Sequence, residues 1–161
     1  MQSRGKTFKP INPGGGVSHP PVETNMTLFQ EPTPAGTKTA SVRERTADAL
    51  RALESWTESG ACTAITAERA ATQAAQAEDR AARGQCLGAL DGMSVLWKDI
   101  IDQTGQITTC GSALRKSAPP ATQDARCVSL IETAGGVSLG RTGLSEFAFS
   151  GLGINPHYGT P

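Results

Sequence analysis

The sequence predicts an α/β fold in which helices lead into an incomplete sheet, and three observations predict it. Between residues 41 and 58, apolar side chains recur every three or four positions, the period of an amphipathic helix. Met93, Val95 and Trp97 alternate with Ser94, Leu96 and Lys98, the period of a strand. From 122 to 141 a helical pattern stops at Gly135-Gly136 and an apolar run follows at once. Helix, glycine, strand is the cadence of an α/β layer.

Residues 1–40 carry Pro10, Pro13, Pro20, Pro21, Pro32, Pro34 and the run Gly14-Gly15-Gly16, with few large apolar side chains. Such a segment cannot bury enough surface to offset its ordering entropy, so disorder is expected there. The first helix places Val42, Thr46, Ala49, Leu50, Leu53 and Trp56 on one face and ends at Ser59-Gly60. A second begins with Thr66 as its N-cap and runs through Ala67, Ala70, Ala71, Ala74, Ala75, Ala81 and Ala82 to Gly84. An apolar face made of alanine adds little core volume but lets a neighbour approach closely.

After Gly88 come the strand ending at Lys98-Asp99, a second short strand expected from Gln106 to Cys110, and a loop with Pro119-Pro120. Thr122 or Asp124 is expected to cap a third helix with Ala125, Val128, Ile131 and Ala134 on one face. A strand from Val137 to Arg141 follows, and the chain then leaves in turn chemistry through Asn155-Pro156-His157-Tyr158-Gly159-Thr160-Pro161. Two or three short strands do not make a stable α/β sheet, so residues 41–161 read as a portion of a larger domain, which the resemblance given below makes its N-terminal portion.

Composition narrows the function classes. Lys plus Arg and Asp plus Glu are 15 each, with no block of one sign, so neither nucleic acid nor an anionic membrane is the expected partner. No apolar leader or membrane-length window is present, which predicts a cytoplasmic protein. Cys62, Cys86, Cys110 and Cys127 form no CxxC pair, and the 2 histidines, His19 and His157, stand far apart. No metal site, zinc ribbon or disulfide framework is expected.

Gly136-Val137-Ser138-Leu139-Gly140 matches GxSxG, the nucleophile elbow of many serine hydrolases. An elbow needs strand, serine, then helix. Here the helix precedes the glycines and Ser138 lies inside the strand, so Ser138 reads as a core serine and a triad with His157 exists on paper only. Cys110 and His157 as a thiol nucleophile and its base are an equally weak pairing beside an inert cysteine and a surface histidine. Asp99 and Asp102 read as capping or solvated loop charges. Lys98 differs in kind: a lysine ending an apolar strand is drawn toward low dielectric, where a neutral amine can serve as a base, as in Ser/Lys hydrolases. A solvated strand-end charge is the ordinary alternative.

Several blocks occur in order with even spacing: Asp91-Gly92 through Trp97-Lys98-Asp99, Thr108-Thr109-Cys110-Gly111-Ser112, Gly135-Gly136 through Arg141-Thr142, Ser145-Glu146-Phe147-Ala148-Phe149-Ser150, and Asn155 to Pro161. Together, over about residues 88–161, they resemble the opening of the amidase signature family. The resemblance implies an α/β/α sandwich around a mixed central sheet, no cofactor, and hydrolysis of a small-molecule carboxylic amide by serine, a bridging cis-serine and lysine. Lys98 matches the family lysine. Both serines belong to a Gly/Ser-rich signature expected beyond Pro161, so these residues alone are expected to be inactive. The resemblance also admits the glutaminase subunit of a tRNA-dependent amidotransferase, a truncated non-catalytic remnant, and a homodimer of the full-length protein. Against the usual pattern, Met93-Ser94 replaces a proline-containing pair, Trp97 stands where a small β-branched residue is usual, and Gly143 replaces a frequent asparagine.

Overall fold

The computed structural model describes residues 40–160, so apart from Ala40 the disordered segment expected over 1–40 lies outside the described residues. Helix α1 spans Val42–Thr57, strand β1 Cys62–Ile65, helix α2 Ala67–Ala82, strand β2 Ser94–Lys98, helix α3 Arg126–Thr133 and strand β3 Val137–Thr142. Single 3-10 turns occupy Ala113–Arg115 and Glu146–Ala148. The fold is mixed α/β around an open sheet of order β1-β3-β2, with β1 antiparallel and β2 parallel to β3.

Helix α1 starts where the sequence places it. The Ser41 hydroxyl accepts from the Glu44 N–H while the Glu44 carboxylate accepts from the Ser41 N–H, a complete capping box. Leu53 joins Cys62, Ala70, Ala74, Val137 and Leu139 in the main core, with Val42, Ala49, Leu50, Ile65 and Leu96 packed around them. Of the alanines of α2, Ala70, Ala74 and Ala77 are buried and bring the helix close to α1 and β3. Burial of Leu53, Val137 and Leu139 stabilises this layer by about 1.5–3 kcal/mol each.

Two expectations are corrected, the strand at 106–110 and the cap of the third helix, and two details are added. Residues 62–65 form a strand that four short residues did not announce, and it pairs with β3 through Ala64↔Arg141 and Ile65↔Gly140. Gln106 to Cys110 is loop, not strand: Ala121 N–H donates to the Gln106 carbonyl, and Cys110 takes a left-handed φ of 54° that ends any extended run. Neither Thr122 nor Asp124 caps α3. Ala125 holds the N-cap position without a side-chain bond, because the Asp124 carboxylate accepts from Arg69 Nη2 at 2.6 Å and from the Thr104 N–H at 2.7 Å. Thr66 stands at the N-cap of α2, but its hydroxyl donates to the Ser138 carbonyl at 3.0 Å and ties the helix to β3 instead.

Polar pairs tie the loops to α2. Arg69 binds Glu132 and Asp124, and Arg80 binds Asp91 at 2.6 Å. The hydrogen bond from Arg80 holds the Asp91 carboxyl below its usual range, helped by the Leu87 N–H. Burial pushes Asp124 up, but Arg69 and the Thr104 N–H outweigh it and lower the carboxyl overall. Gly135 follows α3 with φ 94°, and a β-carbon there would lie 2.3 Å from the Asp91 carboxylate, so only glycine fits this close approach.

Candidate active site

In open α/β sheets, binding groups gather at the carboxyl ends of parallel strands. β2 and β3 end side by side here, with Lys98 paired to Thr142. Lys98 is exposed, and its Nζ donates to the Gly143 carbonyl at 2.6 Å. The ammonium is thus tethered across the mouth of the two strands rather than free in solvent.

Gly143 explains its own departure from asparagine. A β-carbon at this position would lie 2.3 Å from the Gly60 carbonyl oxygen, so the turn after α1 leaves no room for a side chain. Its N–H donates to the Ala61 carbonyl at 3.0 Å. The neighbour of Lys98 is therefore a backbone oxygen by steric necessity.

Asp99 is corrected from a loop charge to a buried partner. It is 1% exposed, as is Arg141, and accepts from Arg141 Nε at 3.0 Å and Nη2 at 2.8 Å. The Thr109 hydroxyl and N–H also donate to Asp99, and Arg141 Nη2 reaches the Thr108 hydroxyl at 3.2 Å. Such a pair is costly to bury and costlier to break, since removing one partner strands a charge. It fastens the end of β2 to β3 and pulls residues 108–110 over the strand ends, aided by the Cys110 N–H donating to the Asp99 carbonyl at 2.8 Å.

Around this pair lie Ser112, whose hydroxyl donates to Glu146 at 2.6 Å, and Asn155, whose amide joins the Gly111 and Leu144 carbonyls. The sequence reading missed Arg141, Ser112, Glu146 and Asn155 as site supports. One signal was available: a charged residue inside the apolar run Val137–Thr142 requires a buried counter-charge, and Asp99 ends the neighbouring strand.

The other candidates are not brought together. Ser138 is 1% exposed, mid-strand, and its hydroxyl accepts from Trp97 Nε1 at 2.8 Å while donating to Glu132. It is a core serine. Trp97 is buried with it and, by strand alternation, faces away from Lys98, so it does not narrow the mouth. His157 is exposed and no hydrogen bond joins it to Ser138 or Cys110; Asp102 is exposed loop. Burial pushes the Cys62 thiol up, as expected of an inert core cysteine. Among the described residues no cluster of His, Cys, Asp and Glu could hold a metal ion, and no helix is long and apolar enough to cross a membrane.

The mixed α/β fold around an open sheet agrees with the family resemblance. The family model described as Amidase matches residues 44–161, and the chain belongs to the amidase family. Among curated relatives, AtzE of Pseudomonas sp. (strain ADP), the 1-carboxybiuret hydrolase subunit, is 38% identical over 99 residues, 62% of this chain and 22% of that protein. The A subunit of the glutamyl-tRNA(Gln) amidotransferase of Aromatoleum aromaticum is 41% identical over 97 residues, 59% of this chain and 19% of its own length. A chain solved in work on a vestigial protein complex and the origins of an s-triazine catabolic enzyme superposes with TM-score 0.70 and 35% identity, covering 74% of this chain and 26% of that one. The chain thus spans about a quarter or less of the length of these relatives.

Proposed function

We propose that this chain supplies the lysine-bearing part of an amidase signature hydrolase that cleaves a small carboxamide to acid and ammonia, and that the whole enzyme works as one component of a larger complex. The observation that carries the activity is Lys98, at the carboxyl end of β2 with its Nζ held by the Gly143 carbonyl. The carbonyl takes one N–H and aims the amine; in the reading that the resemblance implies, the lone pair of Nζ takes the nucleophile's proton by way of a bridging serine, and the same relay then delivers it to the leaving amine. Both serines are expected outside these residues. Membership of a complex rests on similarity to several glutamyl-tRNA(Gln) amidotransferase A subunits and to the 1-carboxybiuret hydrolase subunit, which favours a glutaminase-type reaction over a free-standing aryl amidase. The free-standing reading keeps one support, the stretch 149–158, which resembles such amidases.

The test is ammonia release by the full-length protein, with glutamine and an aryl amide as competing substrates. Release from glutamine, falling by about a hundredfold or more in Lys98→Ala without loss of fold, is the expected result. Turnover retained in Lys98→Ala removes that residue from the chemistry. Cleavage of the aryl amide alone, by a protein that purifies without a partner, favours the free-standing enzyme.

A further inference from the structure

Asn155 is 2% exposed, and every polar valence of its side chain is used. Nδ2 donates to the Gly111 carbonyl at 2.7 Å and to the Leu144 carbonyl at 2.8 Å. Oδ1 accepts from the His157 N–H at 2.8 Å and the Tyr158 N–H at 3.1 Å. An amide has two donors and two acceptor sites, so this one is saturated, and its orientation is fixed: a flip would set NH2 against two N–H groups and oxygen against two carbonyls. One side chain therefore joins the loop at 111, the segment leaving β3 and the 155–158 turn.

The Leu144 carbonyl is the one next in the chain to the Gly143 carbonyl that receives Lys98 Nζ. Gly143 has no β-carbon to restrict its torsions, so the direction of its carbonyl depends on what holds the backbone on either side. On the N-terminal side the Gly143 N–H is held by the Ala61 carbonyl; on the C-terminal side the hold is Asn155. We propose that Asn155 is a positioning residue for Lys98, acting through the Leu144 peptide to keep the Gly143 carbonyl aimed at the amine. The proposal rests on the amidase reading for its meaning in catalysis, but the positioning itself can be measured without turnover.

Lys116 is an exposed lysine of the same chain and serves as an internal standard. The full-length protein is treated with a limiting amount of a water-soluble amine-acylating ester, and the modification of Lys98 relative to Lys116 is read by peptide mass spectrometry. Asn155→Asp keeps the acceptor for His157 and Tyr158 and removes both donors. The Lys98 to Lys116 ratio should rise about two- to tenfold, the range one hydrogen bond supports, with the exchange of the His157 and Tyr158 amides unchanged. Asn155→Ser, which adds no charge, is run beside it and should raise the ratio as well. Thr160→Val, which removes the hydroxyl that accepts from the Asn155 backbone N–H at 3.1 Å, should leave the ratio alone. An unchanged ratio in whichever of Asn155→Asp and Asn155→Ser folds, or equal rises at both lysines, overturns the proposal. Since labelling does not require hydrolysis, a full-length protein that releases no ammonia from any amide but whose Lys98 ratio still shifts overturns the amidase reading alone.

Discussion

The layer formed by α1, α2 and β3 and the loops at the carboxyl ends of β2 and β3 are built on opposite principles. In the helical layer small apolar residues close the gap between elements, and Ala70, Ala74, Leu53, Val137 and Leu139 meet without a buried charge. Over the strand ends the interior is polar: Asp99 with Arg141, Ser112 with Glu146, and Asn155 with four backbone groups. Large apolar side chains there face outward, with Phe149 95% and Leu114 90% exposed, and Leu144 is the exception at 6%. Apolar packing degrades gradually when trimmed, whereas a buried polar network fails when one partner is lost. The part of the molecule that holds Lys98 is therefore the part least tolerant of change.

The sharpest test of that contrast is Arg141→Ala. It leaves Asp99 buried without its counter-charge, and should cost about 3–5 kcal/mol by chemical denaturation; a loss like that of an exposed pair would show that the Asp–Arg bridge is not what fastens the strand ends. Gly143→Ala comes next, since its methyl must push the Gly60 carbonyl aside. A loss of about 1–3 kcal/mol is expected, with Lys98 more readily acylated, and an unaffected protein would mean that the close approach of the two backbones is relaxed in solution. In the helical layer, Ser41→Ala removes one half of the α1 capping box and should lower stability by about 1 kcal/mol without touching Lys98 acylation. A changed Lys98 would show that the two regions are coupled.

The gentlest probe is acid. Asp91 and Asp124 titrate below their usual range when folded, so their contribution is complete above the unfolded value near 4 and is lost as pH falls through the lowered folded values. Denaturation midpoints should be insensitive to these two groups above about pH 5 and fall below about pH 4, and Asp91→Asn should flatten that fall. If Asp91→Asn keeps the full slope, the Arg80 pair does not report on folding.

Legibility in the sequence divides along the same line. α1 and α2 were readable because their signals repeat every turn within the segment itself. β1 was not, because Cys62–Ile65 is too short to show a period and becomes a strand only by pairing with β3. Gln106 to Cys110 looked extended because Ile107, Thr108 and Thr109 favour strands, but Thr108 and Thr109 are claimed by Arg141 and Asp99. Lys98 could be singled out by its place at the end of an apolar strand and by the family resemblance. What holds it could not, because Gly60, Gly143 and Asn155 meet only in the folded chain.

That meeting also sets an order of events. The α1–α2 pair is made from neighbouring residues and can form while the chain is still emerging. Gly60 instead packs on the Tyr158-Gly159 peptide, about a hundred residues away, and closing so long a loop is slow. During synthesis the helical layer can wait as a preformed platform, whereas the mouth around Lys98 is assembled later, once the Asn155 turn has cleared the ribosome.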